Sequence, residues 1–198
     1  LTVYQQRARD LRAKYDHLCL AYSGGSDSYT VLHSFLSSGS IPDEVLVFWP
    51  IQATQGRYRV SRDRDPRNTI SEWDLNIKPD LEQLSQQYPE IKITVVDYSQ
   101  SLQQEVKQEQ FFSINTLTPG GYFRFNIGSQ LQTRKLEQGK TSATVWGYDK
   151  PQFAWRDGKL WFYFIDKLPN QRYLSGSSTG ACEFFYWTPD HVDLIRAQ

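Results

Sequence analysis

Six consecutive residues, Ser23-Gly24-Gly25-Ser26-Asp27-Ser28, separate two apolar runs in "CLAYSGGSDSYTVLHSFL" (19–36). Paired glycines let a backbone turn sharply and approach a ligand without Cβ interference. Successive N–H groups in such a turn can face one concavity, which suits an anion. A helix starting just after the turn would add its unpaired N–H groups and the positive end of its dipole. The hydroxyls of Ser23, Ser26 and Ser28 can donate to phosphate oxygens. Asp27 can cap the helix or help hold a magnesium ion. The chemistry implied is polyphosphate binding; the structural alternative is a tight Ser/Asp-capped turn with no ligand. The segment fits neither G-x-x-x-x-G-K-[ST] nor G-x-G-x-x-G.

The elements that must position this turn follow from pattern. "HLCLAY" (17–22) reads as a short buried strand. Val31, Leu32, Phe35 and Leu36 recur at helical spacing behind the turn. A polar helix over 4–16 precedes both. "VLVFW" (45–49), "IKITVVDY" (91–98) and "SATVWGYD" (142–149) read as further strands, and "KPDLEQLSQQYPE" as a helix with Pro near its start. Residues 52–76 read as a polar loop, 100–110 as a polar helix, and "GYFRFNIGSQLQTRKLEQG" as another helix ended by Gly139. "QFAWRDGKLWFYFID" reads as a hairpin turning at Asp157-Gly158, and 167–190 as loop with an aromatic cluster. Alternating strands and helices imply an α/β fold with a mainly parallel sheet. Ligands in such sheets bind outside the carboxyl ends of the strands, where the winding reverses. The expected division is a nucleotide-binding α/β domain over 1–150, with a C-terminal hairpin and aromatic extension, 151–198, packed on it.

The turn resembles the S-G-G-x-D-S signature of the PP-loop ATP pyrophosphatases, with Ser23, Gly24, Gly25, Asp27 and Ser28 at the fixed positions. That family includes asparagine synthetase, GMP synthetase, NAD synthetase, argininosuccinate synthase and the tRNA lysidine and thiolation enzymes. The resemblance implies a HUP-like three-layer sandwich with about five mainly parallel strands. It implies that ATP binds with its phosphates on 23–28, is cleaved between the α and β phosphates, and adenylylates an acceptor. Backbone groups near Phe48 and Trp49 would then meet the adenine, although an aromatic pair there is equally compatible with core. A non-catalytic adenine-nucleotide-binding module is the alternative from a different class. A phosphoadenylyl-sulfate reductase shares the fold, but its catalytic Glu-Cys-Gly-Leu-His motif has no counterpart in "GACEFF" around Cys182. The strand end "GYDKP", the aromatic hairpin and "FFYWTPD" also resemble small phage-encoded PP-loop proteins labelled asparagine synthetase-like or reductase-like.

If the first and fourth strands flank the crevice, Lys150 is placed to neutralise phosphate and Asp149 to join Asp27 at magnesium. The alternative is an Asp-Lys-Pro turn leading into the hairpin. The loop after the second strand carries Arg57, Arg59, Arg62, Arg64 and Arg67, of which Arg62 and Arg64, with Arg124 of "GYFRFN", are the candidates for an anionic substrate. Asp63 and Asp65 dilute that charge. Asn126 joins Arg124 as a binding candidate, "LSGSSTGAC" (174–182) reads as a lid or a surface loop, and His17, His33 and His191 have neither metal nor triad spacing.

Composition bounds partners. With 22 Lys+Arg against 22 Asp+Glu the formal charge is zero, so net charge does not indicate a nucleic-acid partner and leaves one open. Two cysteines far apart make no disulfide framework, which fits a reducing cytoplasm, the host's if the gene is a phage's. Apolar runs are too short to span a bilayer. No N-terminal catalytic Cys offers a glutaminase, so an amide product would need ammonia from solution or a nitrogen-donor partner protein. The missing initiator Met and the ending "HVDLIRAQ" suggest a piece of something longer.

Overall fold

The computed structural model describes residues 2–52, 73–100, 140–147, 150, 152–163, 180–188, 191 and 193–194. The helices expected over 100–110 and 121–139, the arginine-rich stretch 57–67 and most of the 174–182 segment lie outside them.

The chain is an α/β protein. Helix α1 (Thr2–Lys14) leads into β1 (His17–Ala21), α2 (Ser26–Ser37) and β2 (Glu44–Trp49). A π-helical turn (Trp73–Ile77) runs directly into α3 (Lys78–Gln87), followed by β3 (Lys92–Asp97) and β4 (Ser142–Trp146). A separate antiparallel hairpin comprises β5 (Gln152–Arg156) and β6 (Lys159–Tyr163), and β7 (Gly180–Phe184) returns to the sheet. The five-stranded sheet is parallel throughout, in the order β3-β2-β1-β4-β7. No described helix is long and apolar enough to cross a membrane.

Burial explains the elements. Every residue of β4 is buried, as are Leu18 to Ala21 of β1, as a central parallel strand requires. β3, at one edge, has no fully buried residue. Ala8 and Leu11 of α1, with Tyr15 just beyond its end, place one stripe on the core, at helical spacing. Val31, Leu32 and Phe35 do the same for α2, and Ile77, Leu81 and Leu84 for the π-turn and α3. Pro79 sits in the first turn of α3, where its missing N–H costs nothing. The hairpin turns where expected: Asp157 and Gly158 both have positive φ, 52° and 69°, the signature of a type I′ turn.

Two expectations from the sequence need correction. Residues 73–76, expected as the end of a loop, belong to the π-helical turn Trp73–Ile77. Residues 180–184, also expected as loop, form an edge strand pairing in register with β4, from Ser142↔Gly180 to Trp146↔Phe184. The signal for that strand lies far away in sequence. Glu183 interrupts its apolar run and is mostly buried, because α1 supplies its partners. Arg7 Nη2 lies 3.0 Å from Glu183 Oε2, Lys14 Nζ lies 2.8 Å from Oε1, and the Tyr15 hydroxyl donates to the same oxygen. Arg7 Nη2 also reaches the Phe184 carbonyl at 3.2 Å.

Burial pushes the Glu183 carboxyl up, but the hydrogen bonds from Lys14 and Tyr15 and the Arg7 charge together hold it below its ordinary value. A carboxyl depressed in the folded state contributes stability above its unfolded value, and that stability is lost as pH falls through the folded value. Urea midpoints are therefore expected to drop below about pH 4.5 in wild type and to show a flatter acid limb in Glu183→Gln. At neutral pH that variant strands the buried Arg7 charge and should cost about 3 kcal/mol. A midpoint unchanged at pH 7 would refute this role for the cluster.

Candidate active site

β1 delivers the chain to the turn. The Tyr22 N–H continues the sheet by donating to the Leu46 carbonyl at 2.9 Å. Gly24 then adopts φ +76°, and a Cβ there would lie 2.5 Å from Ile77 Cγ1. The turn is seated on the π-helical segment at that point, and Asn76 Nδ2 donates to the Gly24 carbonyl at 3.3 Å. Helix α2 begins within the hexapeptide rather than after it. Gly25 is its N-cap, with no side-chain cap, so Asp27 lies in the first turn and does not cap the helix. The first helical hydrogen bond is Tyr29 N–H to Gly25 O, 3.0 Å. The N–H groups of Ser26, Asp27 and Ser28 precede it and find no acceptor among the described residues.

The serines divide their work. Ser23 and Ser26 are exposed, whereas Ser28 is buried. The Ser28 hydroxyl donates to the Gly25 carbonyl at 3.0 Å and accepts from the Ser23 N–H at 3.2 Å, so it braces the turn from inside.

A crevice of about 240 Å³ opens over this turn, lined by Ala21, Tyr22, Ser23, Gly25, Ser26, Asp27, Ser28, Phe48, Trp146 and Gly147. It stands at the carboxyl ends of β1, β2 and β4. β1 and β4 are the neighbours between which the winding reverses, where a doubly wound sheet leaves room for a ligand. One wall is aromatic: Phe48 and Trp146 are nearly parallel, with ring centroids 6.1 Å apart and 8° between planes. Gly147 permits the close approach of β4 to the helix start, since a Cβ there would meet Ser28 N at 3.2 Å and the Asp27 carbonyl carbon at 3.3 Å.

No family model matches the chain, and no curated protein matches it either.

Charge at the crevice comes from Asp27, which lines it, and from Lys150 beside that carboxylate. Lys150 Nζ lies 3.8 Å from Asp27 Oδ1, both side chains being partly exposed. Under Lys150 is the ring of Tyr186, 5.2 Å from Nζ to centroid. The Tyr186 hydroxyl donates to the Asp27 carbonyl at 2.8 Å. Burial, then the Asp27 charge, pushes this phenol up, so it remains a donor at neutral pH. The neighbouring Tyr22 phenol is raised by burial and by its hydrogen bond to Asp80. Tyr186→Phe keeps the ring but deletes one hydrogen bond, so chemical denaturation should show a loss of about 1 kcal/mol. Tyr186→Leu, which also removes the surface under Lys150, should lose more; equal losses would mean that the hydroxyl alone matters.

Of the residues singled out in the sequence, the fold brings together Ser23, Gly25, Ser26, Asp27, Ser28, Phe48 and Lys150. Gly24 supports the turn from below. Trp49 is 5% exposed and stacks on Trp73 in the core, 5.2 Å between centroids, so its side chain is not part of the crevice. Asp149, Arg62, Arg64, Arg124 and Asn126 lie outside the described residues. Sequence reasoning missed Trp146, Gly147, Tyr186 and Asn76. Trp146 and Gly147 carried a usable signal, since they lie toward the carboxyl end of a strand (142–149) expected to flank the crevice. Cys19 is a buried thiol, raised by burial first and then by the Glu44 charge, which suits an inert core position.

Among the described residues no three His, Cys, Asp or Glu side chains gather as a metal site. Asp27 alone still fits magnesium, which is commonly held by one or two carboxylates plus substrate phosphates and waters.

Proposed function

We propose that the protein binds ATP in this crevice and cleaves it between the α and β phosphates to adenylylate an acceptor. The observation that carries the reading is a carboxylate, Asp27, inside a turn otherwise built for anions. Three N–H groups with no acceptor among the described residues and a helix start favour negative charge there. A carboxylate at the same place opposes a phosphate unless cations stand between them. Lys150, 3.8 Å away, is one such cation, and Asp27 would hold magnesium as another, whose chemistry is to neutralise phosphate charge. On this reading the chain is a HUP-like three-layer sandwich of the PP-loop kind, working in the cytoplasm.

The chain's own groups position and neutralise. The N–H groups of Ser26, Asp27 and Ser28 take phosphate oxygens. Phe48 and Trp146 offer a flat apolar wall to the adenine. An acceptor oxygen, from a carboxylate or a base carbonyl, attacks the α phosphorus. The bond from that phosphorus to the α–β bridging oxygen breaks, and that oxygen leaves with pyrophosphate, its charge met by Lys150. A nitrogen or sulfur nucleophile then displaces AMP from the acceptor. Incubation with ATP and magnesium tests the reading. AMP and pyrophosphate support it, ADP and phosphate refute it, and tight binding of intact ATP replaces it with a non-catalytic nucleotide-binding module.

A further inference from the structure

The hairpin β5–β6 follows Lys150 closely in the chain, β5 beginning two residues on at Gln152. Directly paired residues share a face, so Gln152, Ala154 and Arg156 lie with Tyr163, Trp161 and Lys159. On this face Trp161 and Tyr163 are 54% and 41% exposed. They stand two residues apart on one strand, about 6.8 Å. Ala154, opposite Trp161, is small, and a hollow of about 390 Å³ lies there, lined by Ala154, Arg156, Asp157, Trp161 and Tyr163. At the tip Arg156 pairs across the strands with Lys159. Like charges directly opposite destabilise a hairpin, and a two-stranded hairpin is marginal already. Asp157 in the intervening turn offsets the repulsion only in part. No described acidic side chain forms an ion pair with either cation. The other face carries Phe153, Trp155 and Leu160, which are apolar and bring no such charge.

We propose that the Trp161–Tyr163 face binds single-stranded nucleic acid, its unpaired bases stacked on the two rings and its phosphates held by Arg156 and Lys159. Stacking platforms flanked by cations are the usual means of holding such strands, because every base has a π-face. Gln152 and Tyr163 pair at the end of the hairpin nearest Lys150 in sequence. Strand binding on this face does not depend on the reading of the crevice above.

Fluorescence anisotropy with labelled dT12 and rU12, alongside competition by dTMP and UMP, tests this on the full chain. Expected are micromolar binding at low salt, weakening as salt rises, and a loss of about tenfold in Trp161→Ala. Arg156→Glu combined with Lys159→Glu should flatten the salt dependence. Preference for one strand identifies the sugar; mononucleotides competing as well as the oligomers would overturn the proposal. So would no binding at 50 mM salt, binding unchanged in Trp161→Ala, or sedimentation showing that the exposed rings bury a dimer instead. ATP cleavage measured in parallel separates the two readings. Strand binding without cleavage sinks the enzymatic reading alone, and cleavage without strand binding sinks this one.

Discussion

Replacing Asp27 by alanine is expected to lower ATP-dependent pyrophosphate release by on the order of 1000-fold while leaving the protein folded. The separation of the two effects follows from where the side chain sits. Its carboxylate is 43% exposed, makes no cap for α2, and touches Lys150 only at 3.8 Å. Deleting it removes a favourable charge from the first turn of a helix, about 0.5 kcal/mol, and no buried contact. The Tyr186 bond is to the Asp27 backbone carbonyl, so the substitution leaves it in place. What disappears is the carboxylate proposed to hold magnesium and to set Lys150. Asp27→Asn isolates the charge, because it keeps the shape and loses only the ionised oxygen; it should be nearly as inactive as alanine. Lys150→Met should lose activity for the complementary reason. Circular dichroism and the urea midpoint check the fold, and a coupled pyrophosphate assay reads the rate. Unchanged release in Asp27→Ala would put the reactive centre somewhere else in the molecule.

These local features were readable because their causes are local. Two glycines beside hydroxyls and an acid, between a buried strand and a helical repeat, describe a turn whose backbone matters more than its side chains. Asp157-Gly158 between aromatic alternations dictated a type I′ hairpin in the same way. The parallel sheet followed from strands alternating with helices along the chain. What stayed hidden depends on pairs distant in sequence. Glu183 looks like a strand breaker until Arg7, Lys14 and Tyr15 stand beside it. Tyr186 belongs to an aromatic cluster that reads as loop, yet it is buried and its hydroxyl reaches Asp27 across 159 positions. Asn76 reads as the end of a loop, because nothing nearby reveals that Gly24 needs a seat. Asp27 was open as a cap because the pattern does not say on which residue a helix begins. Starting at Ser26 moves the carboxylate from the cap into the first turn, where it faces the crevice.

That seat makes Gly24 the most sensitive position in the turn, and Gly24→Ala is expected to destabilise the protein by about 3 kcal/mol. Two terms add. A non-glycine residue at φ +76° carries backbone strain of roughly 1–2 kcal/mol. The new Cβ also falls 2.5 Å from Ile77 Cγ1. Ile77 is fully buried and cannot swing aside, so the turn and the π-helical segment must separate, an overpacking cost of about 1–3 kcal/mol. Gly39, with φ +71° and nothing within 4 Å of where a Cβ would stand, supplies the control. Gly39→Ala carries the strain without the collision and should cost about 1 kcal/mol. In a chain of this size each kcal/mol is worth roughly 2–4 °C, so the two variants should melt several degrees apart. Separation of the turn from Ile77 also spreads the three N–H groups of Ser26, Asp27 and Ser28, so Gly24→Ala should lose nucleotide binding even at temperatures where it remains folded, while Gly39→Ala keeps it. Equal melting temperatures for the two variants would mean that the turn does not rest on Ile77. The preorganisation of the anion site would then need another cause.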